Sequence, residues 1–272
     1  MNDVTKRLIT AIFCIVYSLL LKSWNIHTLC LYYLSLTIAC LFEYHYKIDS
    51  TRKKITIILS TIVYVMAICY ILDMIPSKYL SLSLPIIMSL FSIELLSGKE
   101  TPMLSIGTDL IGFVWICVPM LLCILLSYPM SSIGVRIHDP RIVYGIMTYV
   151  FMNDVGGYFT GKYFGKHKLF PSVSPKKTWE GSIGGAVVSG MSYYPITYLW
   201  PVLSQRDWVI IAMICIVCGS IGDLIESMFK RDLKIKDTGS VLPGHGGVLD
   251  RIDGLLYSVP FVYCYLVING YN

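Results

Sequence analysis

The amino-acid sequence predicts an all-α fold, a polytopic transmembrane helical bundle of about nine spans with its N-terminus in and its C-terminus out. Three observations lead there. Hydrophobic residues make up 55% of the 272 and charged residues 14%, with a mean hydropathy of +0.66. A soluble domain carries about 25% charged residues, so this chain has too few to cover a water-facing surface. The apolar residues fall in runs approaching the roughly 20 that a helix needs to cross hydrocarbon. The Lys and Arg residues gather in alternate loops, as the positive-inside rule requires of a multi-pass chain.

Taken in order, the expected spans centre on Leu8–Leu21, Thr28–Phe42, Ile55–Leu72, Tyr79–Leu96, Ile106–Tyr128, Ile142–Gly161, Ser182–Leu203, Trp208–Phe229 and Leu249–Ile268. The first follows Lys6 and Arg7 and could be read as a signal peptide. No A-x-A-like site follows it, and Lys22-Ser23-Trp24 is a poor cleavage context, so it is expected to remain as a first helix. With the N-terminus inside, the cytoplasmic side holds Lys6, Arg7, Lys47, Arg52, Lys53, Lys54, Lys99, Lys162, Lys166, Lys168, Lys176, Lys177, Lys230, Arg231, Lys234 and Lys236. The opposite side holds Lys22, Lys78, Arg136, Arg141 and Arg206, and Arg251 stands at the start of the last span, completing the 22 basic residues.

The chain divides by character. Residues 1–132 read as plain transmembrane helices. Residues 133–272 read as a catalytic transmembrane region, rich in Gly, Lys and Asp between Asn153 and Asp253, with cytoplasmic loops at 162–181 and 230–248. The net charge of +5 is carried in short loops between apolar runs, which excludes nucleic acid and leaves anionic headgroups and anionic substrates. All nine cysteines lie within apolar runs, and an odd, scattered set is no disulfide framework. Cys215 and Cys218 form a C-x-x-C, but within Ile-Cys-Ile-Val-Cys, where small apolar membrane residues are the simpler account.

Three clusters carry chemistry. In the first, Asn153-Asp154-Val155-Gly156-Gly157-Tyr158 to Gly161-Lys162, Asp154 sits in an apolar segment. A carboxylate near mid-membrane costs about 2.5–3.5 kcal/mol even on lenient scales and usually faces a cavity or a partner. Gly157 and Gly161 allow close backbone approach, so the alternative is a helix-packing patch with one satisfied acid. The second is the loop from Gly165 to Gly181, where Lys166, Lys168, Ser172, Ser174, Lys176, Lys177 and Thr178 are donors suited to phosphate oxygens. The plain alternative there is a basic loop that sets topology and touches lipid headgroups.

In the third cluster Asp223, Glu226, Ser227 and Lys230 stand at i, i+3, i+4 and i+7 on one helical face. A Gly/Pro loop with Lys236, Asp237 and His245 follows. The next helix is expected to begin near Val248, with Asp250 and Asp253 at i, i+3 and Arg251 beside them. Two acidic faces joined by a loop can converge. Hard divalent cations take one or two carboxylates plus substrate phosphates, and neighbouring bases suit a nucleoside triphosphate. Salt bridging among these acids and bases is the competing account. His245 suits phosphate donation or loop hydrogen bonding; His27, His45 and His138 read as ordinary residues, and His167 as a minor phosphate contact.

The stretch Ser227-x-Phe229-Lys230-Arg231-x4-Lys236-Asp237-x-Gly239-x2-Leu242-Pro243-x-His245-Gly246-Gly247-Val248-x-Asp250-Arg251-Ile252-Asp253 resembles the signature of the bacterial phosphatidate cytidylyltransferase (CDP-diacylglycerol synthase) family. The run from Asn153-Asp154 through Ser174-Pro175-Lys176-Lys177-Thr178-Trp179-Glu180-Gly181 is similar to a second motif of that family, so the resemblance covers roughly residues 150–254. It implies transfer of CMP from CTP to phosphatidate, giving CDP-diacylglycerol and pyrophosphate in phospholipid biosynthesis. It also implies a Mg²⁺ site, with room for a monovalent cation such as K⁺, facing the cytoplasm at a bacterial cytoplasmic (inner) membrane, and a homodimer. By the family match Asp223 and Asp250 are expected as metal ligands, with Asp253, Asp154 and Glu226 as further candidates. Lys230, Arg231, Lys236 and His245 are expected to hold phosphates. Lys162, Ser174, Lys176, Lys177, Thr178, Ser227, Asp237 and Arg251 are expected to complete the sites for CTP and the lipid phosphate. A CTP-dependent polyprenol or phytol kinase is the nearest alternative. An ion-coupled transporter is a remote one, since its repeated halves and midplane charges are not seen here.

Overall fold

A computed structural model describes residues 24–48, 53–96, 101–130, 134, 136–239 and 246–271. The expected span Leu8–Leu21 and His245 lie outside them. The described chain is mostly helical, as expected, and forms two compact units.

The first unit comprises Met1–Leu125 with Thr238–Leu249. Its described helices are α1 (Ile26–Lys47), α2 (Lys53–Ile71), α3 (Ser77–Leu80), α4 (Ser83–Leu95), α5 (Pro102–Gly112) and, after a π-helical stretch at Phe113–Cys117, α6 (Val118–Leu126), whose last residue belongs to the second unit. α1 begins in a capping box: Thr28 N–H donates to Asn25 Oδ1 at 2.9 Å while Asn25 N–H donates to Thr28 Oγ1 at 3.2 Å. Its core is built from Leu29, Tyr33, Leu41, Tyr44, Tyr64 and Ile116, all fully buried. Tyr44 lies so close to Gly112 that a Cβ there would come within 2.8 Å of its Cδ1, and its hydroxyl donates to the Thr108 carbonyl at 2.9 Å. The helix widens into the π turn immediately beyond this contact.

The second unit comprises Leu126–Asp237 with Asp250–Asn272. It contains α7 (Arg141–Phe164), a hairpin of β1 (Lys168–Phe170) and β2 (Ser174–Thr178), α8 (Trp179–Met191), α9 (Tyr193–Leu199), α10 (Gln205–Asp232), a 3₁₀ turn at Leu249–Arg251 that starts in the first unit, and α11 (Asp253–Ile268). α7 and α8 approach closely because glycines face each other. A Cβ on Gly156 would fall 2.7 Å from Val188 Cβ, and one on Gly185 would fall 2.6 Å from the Asn153 carbonyl. α10 starts at Ser204, whose Oγ accepts the Asp207 N–H at 3.2 Å. The Asp207 carboxylate accepts from the Tyr265 and Tyr271 hydroxyls at 2.7 and 2.8 Å, tying the start of α10 to the end of α11.

Among the described residues, five segments are long and apolar enough to cross a membrane: Ile26–Lys47, Lys53–Ile71, Ser77–Leu95, Pro102–Leu126 and Gln205–Asp232. The structure departs from the expected elements in three places. The loop beyond Gly165 is a β-hairpin, antiparallel with Lys168 opposite Thr178 and Phe170 opposite Ser174, so the chain is not wholly α. The expected span Ser182–Leu203 is two helices, because the chain turns at Ser192, where the Ser192 hydroxyl donates to the Ser189 carbonyl at 2.5 Å. The last helix starts at Asp253 rather than near Val248, so Asp250 and Asp253 do not stand on one α-helical face: Asp250 sits in the 3₁₀ turn.

Candidate functional site

The second unit contains a cleft of about 690 Å³. α7 supplies Asn153, Asp154 and Lys162 to its wall; β2 supplies Ser174, Lys176, Lys177 and Thr178; α10 supplies Ser220, Asp223, Glu226 and Lys230. Asp237 and, beyond the 3₁₀ turn, Asp250, Arg251 and Asp253 close the rest. Local rules explain each contribution. Helical spacing puts Asp223, Glu226 and Lys230 on the inner face of α10. The cap brings the end of β2 in: Thr178 Oγ1 accepts the Gly181 N–H at 3.2 Å and starts α8 beside Gly161 of α7.

Opposite charges interlock across the cleft. Lys177 Nζ lies 2.6 Å from Asp223 Oδ2. Lys230 Nζ donates to Asp250 Oδ1 at 2.9 Å and also pairs with Glu226 one helical turn away. Carboxylate oxygens of Asp223, Glu226 and Asp253 come within 4.8 Å of one another. Glu226 Oε1 is buried and accepts no hydrogen bond from the described residues. Three acids gathered this closely, one with an orphaned oxygen, are the donor set a hard divalent cation takes, so the residues fit such an ion.

The hairpin is fixed by Glu180, in the first turn of α8. Its carboxylate accepts the main-chain N–H of Lys166 at 3.0 Å and of His167 at 3.2 Å, and meets His167 Nδ1 at 2.6 Å. The Lys166 N–H, followed by the His167 ring, holds the Glu180 carboxyl well below the usual carboxylate range, at about 2. Arg231 also serves the hairpin, its Nε donating to the Val173 carbonyl at 3.2 Å.

Most of the residues singled out in the sequence therefore meet in one place. Arg231, Ser227 and Lys236 do not line the cleft: Arg231 braces the hairpin, the Ser227 hydroxyl points to Asp223 Oδ1 at 3.5 Å, and Lys236 is exposed. His245 lies outside the described residues. Around Asp223 the structure gathers Glu226 and Asp253, while Asp250, expected beside it, turns to Lys230. Ser220 was missed by sequence reasoning, and Asn153, which opens the first cluster, was given no role there. They are joined by an Asn153 Nδ2 to Ser220 Oγ bond of 3.0 Å. Ser220 stands three residues before Asp223, and that spacing was the signal for it.

The family model described as "Cytidylyltransferase family" matches residues 5–269. The chain is similar to phosphatidate cytidylyltransferase of Mycobacterium bovis, 40% identical over 147 residues, 53% of this chain and 45% of that protein. The enzyme of the same name from Haemophilus influenzae is 41% identical over 133 residues, 46% of each chain. That from Bacillus subtilis is 41% identical over 140 residues, 46% of this chain and 49% of the other. The matched part of the chain spans about half the length of these curated relatives.

Proposed function

The chain belongs to the cytidylyltransferase family, and from that premise we propose that it transfers CMP from CTP to phosphatidate, releasing pyrophosphate and forming CDP-diacylglycerol. The observation that carries this reading is the cleft in which Asp223, Glu226 and Asp253 gather beside Lys177, Lys230 and Arg251. The reaction brings together two polyanions, and such a site needs both metal-binding acids and phosphate-binding bases. The relatives' names support the same substrates.

In the proposed step an anionic phosphate oxygen of phosphatidate forms a bond to the α-phosphorus of CTP. The bond from that phosphorus to the α,β-bridging oxygen breaks, and its electron pair leaves with pyrophosphate. A phosphate monoester has its second pKa at about 6, so the nucleophile carries its own charge and alignment matters more than a general base. Asp223, Glu226 and Asp253, with Asp250 and Asp154 as neighbours, are the residues that would hold Mg²⁺. When bound, that ion supplies charge neutralisation to the phosphate oxygens. Lys176, Lys177, Lys230 and Arg251 orient the phosphates, and Ser174, Thr178, Lys162 and Asp237 complete the walls.

The same reading includes nine spans with the N-terminus in and the C-terminus out, a multi-pass location in a bacterial cytoplasmic membrane and a cleft open to the cytoplasm; the one-sided gathering of Lys and Arg supports it. The resemblance further supports a homodimer. The deciding experiment gives purified chain in detergent labelled CTP and phosphatidate, with and without Mg²⁺. CDP-diacylglycerol and pyrophosphate are the expected products. Release of CDP with phosphorylation of a polyprenol would establish kinase chemistry instead.

A further inference from the structure

Glu43 is an acid of α1 that the reaction above does not use, and it is 3% exposed. Its Oε1 accepts the main-chain N–H of Val248 and its Oε2 that of Leu249, both at 2.9 Å and across more than 200 residues of sequence. Thr238 Oγ1 stands 3.5 Å from Oε2. Two glycines are pressed against the same carboxylate. A Cβ on Gly247 would fall 2.6 Å from Oε2, and one on Gly239 would collide with Oε1. The first N–H groups of any helical turn lack acceptors within it, and the 3₁₀ turn Leu249–Arg251 begins at this point. Glu43 supplies those acceptors from a distant helix. A buried carboxyl group is costly without such bonds, so the acid and the turn hold each other in place.

We propose that Glu43 is a positioning residue for the transfer reaction: by capping the turn it fixes the backbone from which Asp250 and Arg251 extend. Val248 and Leu249 are bonded directly to Glu43, and Asp250 is the next residue along the chain. The inference rests on the reading of the cleft given above.

The test uses Glu43→Gln and Glu43→Asp in the full chain in detergent. Gln keeps the length but turns an amide donor toward a main-chain donor; Asp keeps both acceptors one methylene short. For Glu43→Gln, kcat per folded molecule should fall roughly 10- to 100-fold, the range seen for residues that orient ligands through others. Glu43→Asp should retain more activity than Glu43→Gln. Amide exchange, read without substrate or metal, should show Val248 and Leu249 protected in the wild type and unprotected in Glu43→Gln. A purely structural acid would lower folded yield and leave kcat per folded molecule unchanged, and that result overturns the proposal. If Glu43→Gln does not fold, Gly239→Ala, which pushes the chain off Glu43, should give the same kcat loss; normal kcat there, or rapid exchange of the two amides in the wild type, also overturns it. A wild type that makes no CDP-diacylglycerol refutes the reading of the cleft instead, and the exchange data still judge the clamp.

Discussion

Lys230 Nζ donates to Asp250 Oδ1 at 2.9 Å, joining α10 to the 3₁₀ turn that precedes α11, while the same ammonium pairs with Glu226. One cation thus serves two acids that are 1% and 5% exposed, and it is itself 13% exposed.

Removing that cation should take from two buried acids the countercharge it supplies, a change that costs about 3–5 kcal/mol. Lys230→Met is expected to lower the melting temperature of the detergent-solubilised protein markedly and to abolish turnover. An unchanged melting temperature would show that the pair contributes nothing to stability.

Asp223→Asn and Asp250→Asn are each expected to abolish measurable CMP transfer while the protein remains folded. Loss of a charged ligand or of its partner is worth about 3 kcal/mol at the transition state, roughly a hundredfold or more in rate. Activity close to wild type in Asp223→Asn at ordinary Mg²⁺ would remove Asp223 from the proposed ion site. The same result in Asp250→Asn would confine Asp250 to its pairing with Lys230.

The hairpin should respond to acid at Glu180. Its folded pKa of about 2 is lower than the ordinary 4.5, so the stabilisation is fully present above pH 4.5 and is lost as pH falls toward 2. Protection of the Lys166 and His167 amides, taken relative to the intrinsic exchange rate at each pH, should fall across that window, and Glu180→Gln should leave them unprotected throughout. Constant wild-type protection between pH 4.5 and 2 would contradict the assignment.

The proposed displacement is a single step, so configuration at the α-phosphorus should invert and CTP alone should release no pyrophosphate. Among possible nucleophiles, the Ser227 hydroxyl donates to Asp223 and does not line the cleft, and Ser174, which does, is an unactivated alcohol. Retention with an α-thio-CTP analogue, or a stoichiometric burst without phosphatidate, would demand a covalent enzyme intermediate.

Much of this molecule was legible in the residues alone. Apolar run length and scarce charge specify helices, and the i, i+3, i+7 spacing of Asp223, Glu226 and Lys230 puts them on one face because a helix repeats every 3.6 residues. The motif from Asn153 to Gly181 and that from Ser227 to Asp253 identified the walls of the cleft. Spacing has no reach between elements, however. Only packing decided that Asp253 and Glu226 would gather at Asp223 while Asp250 turned to Lys230, because the 3₁₀ turn rotates Asp250 away from the face of α11. The break of the run Ser182–Leu203 at Ser192, where local hydrogen bonds interrupt a continuous helix, was likewise visible only in the structure. Glu43, buried in an apolar helix about 200 residues away in sequence, gave no local sign of its partners, since a main-chain N–H at Val248 or Leu249 has no side-chain identity to announce it.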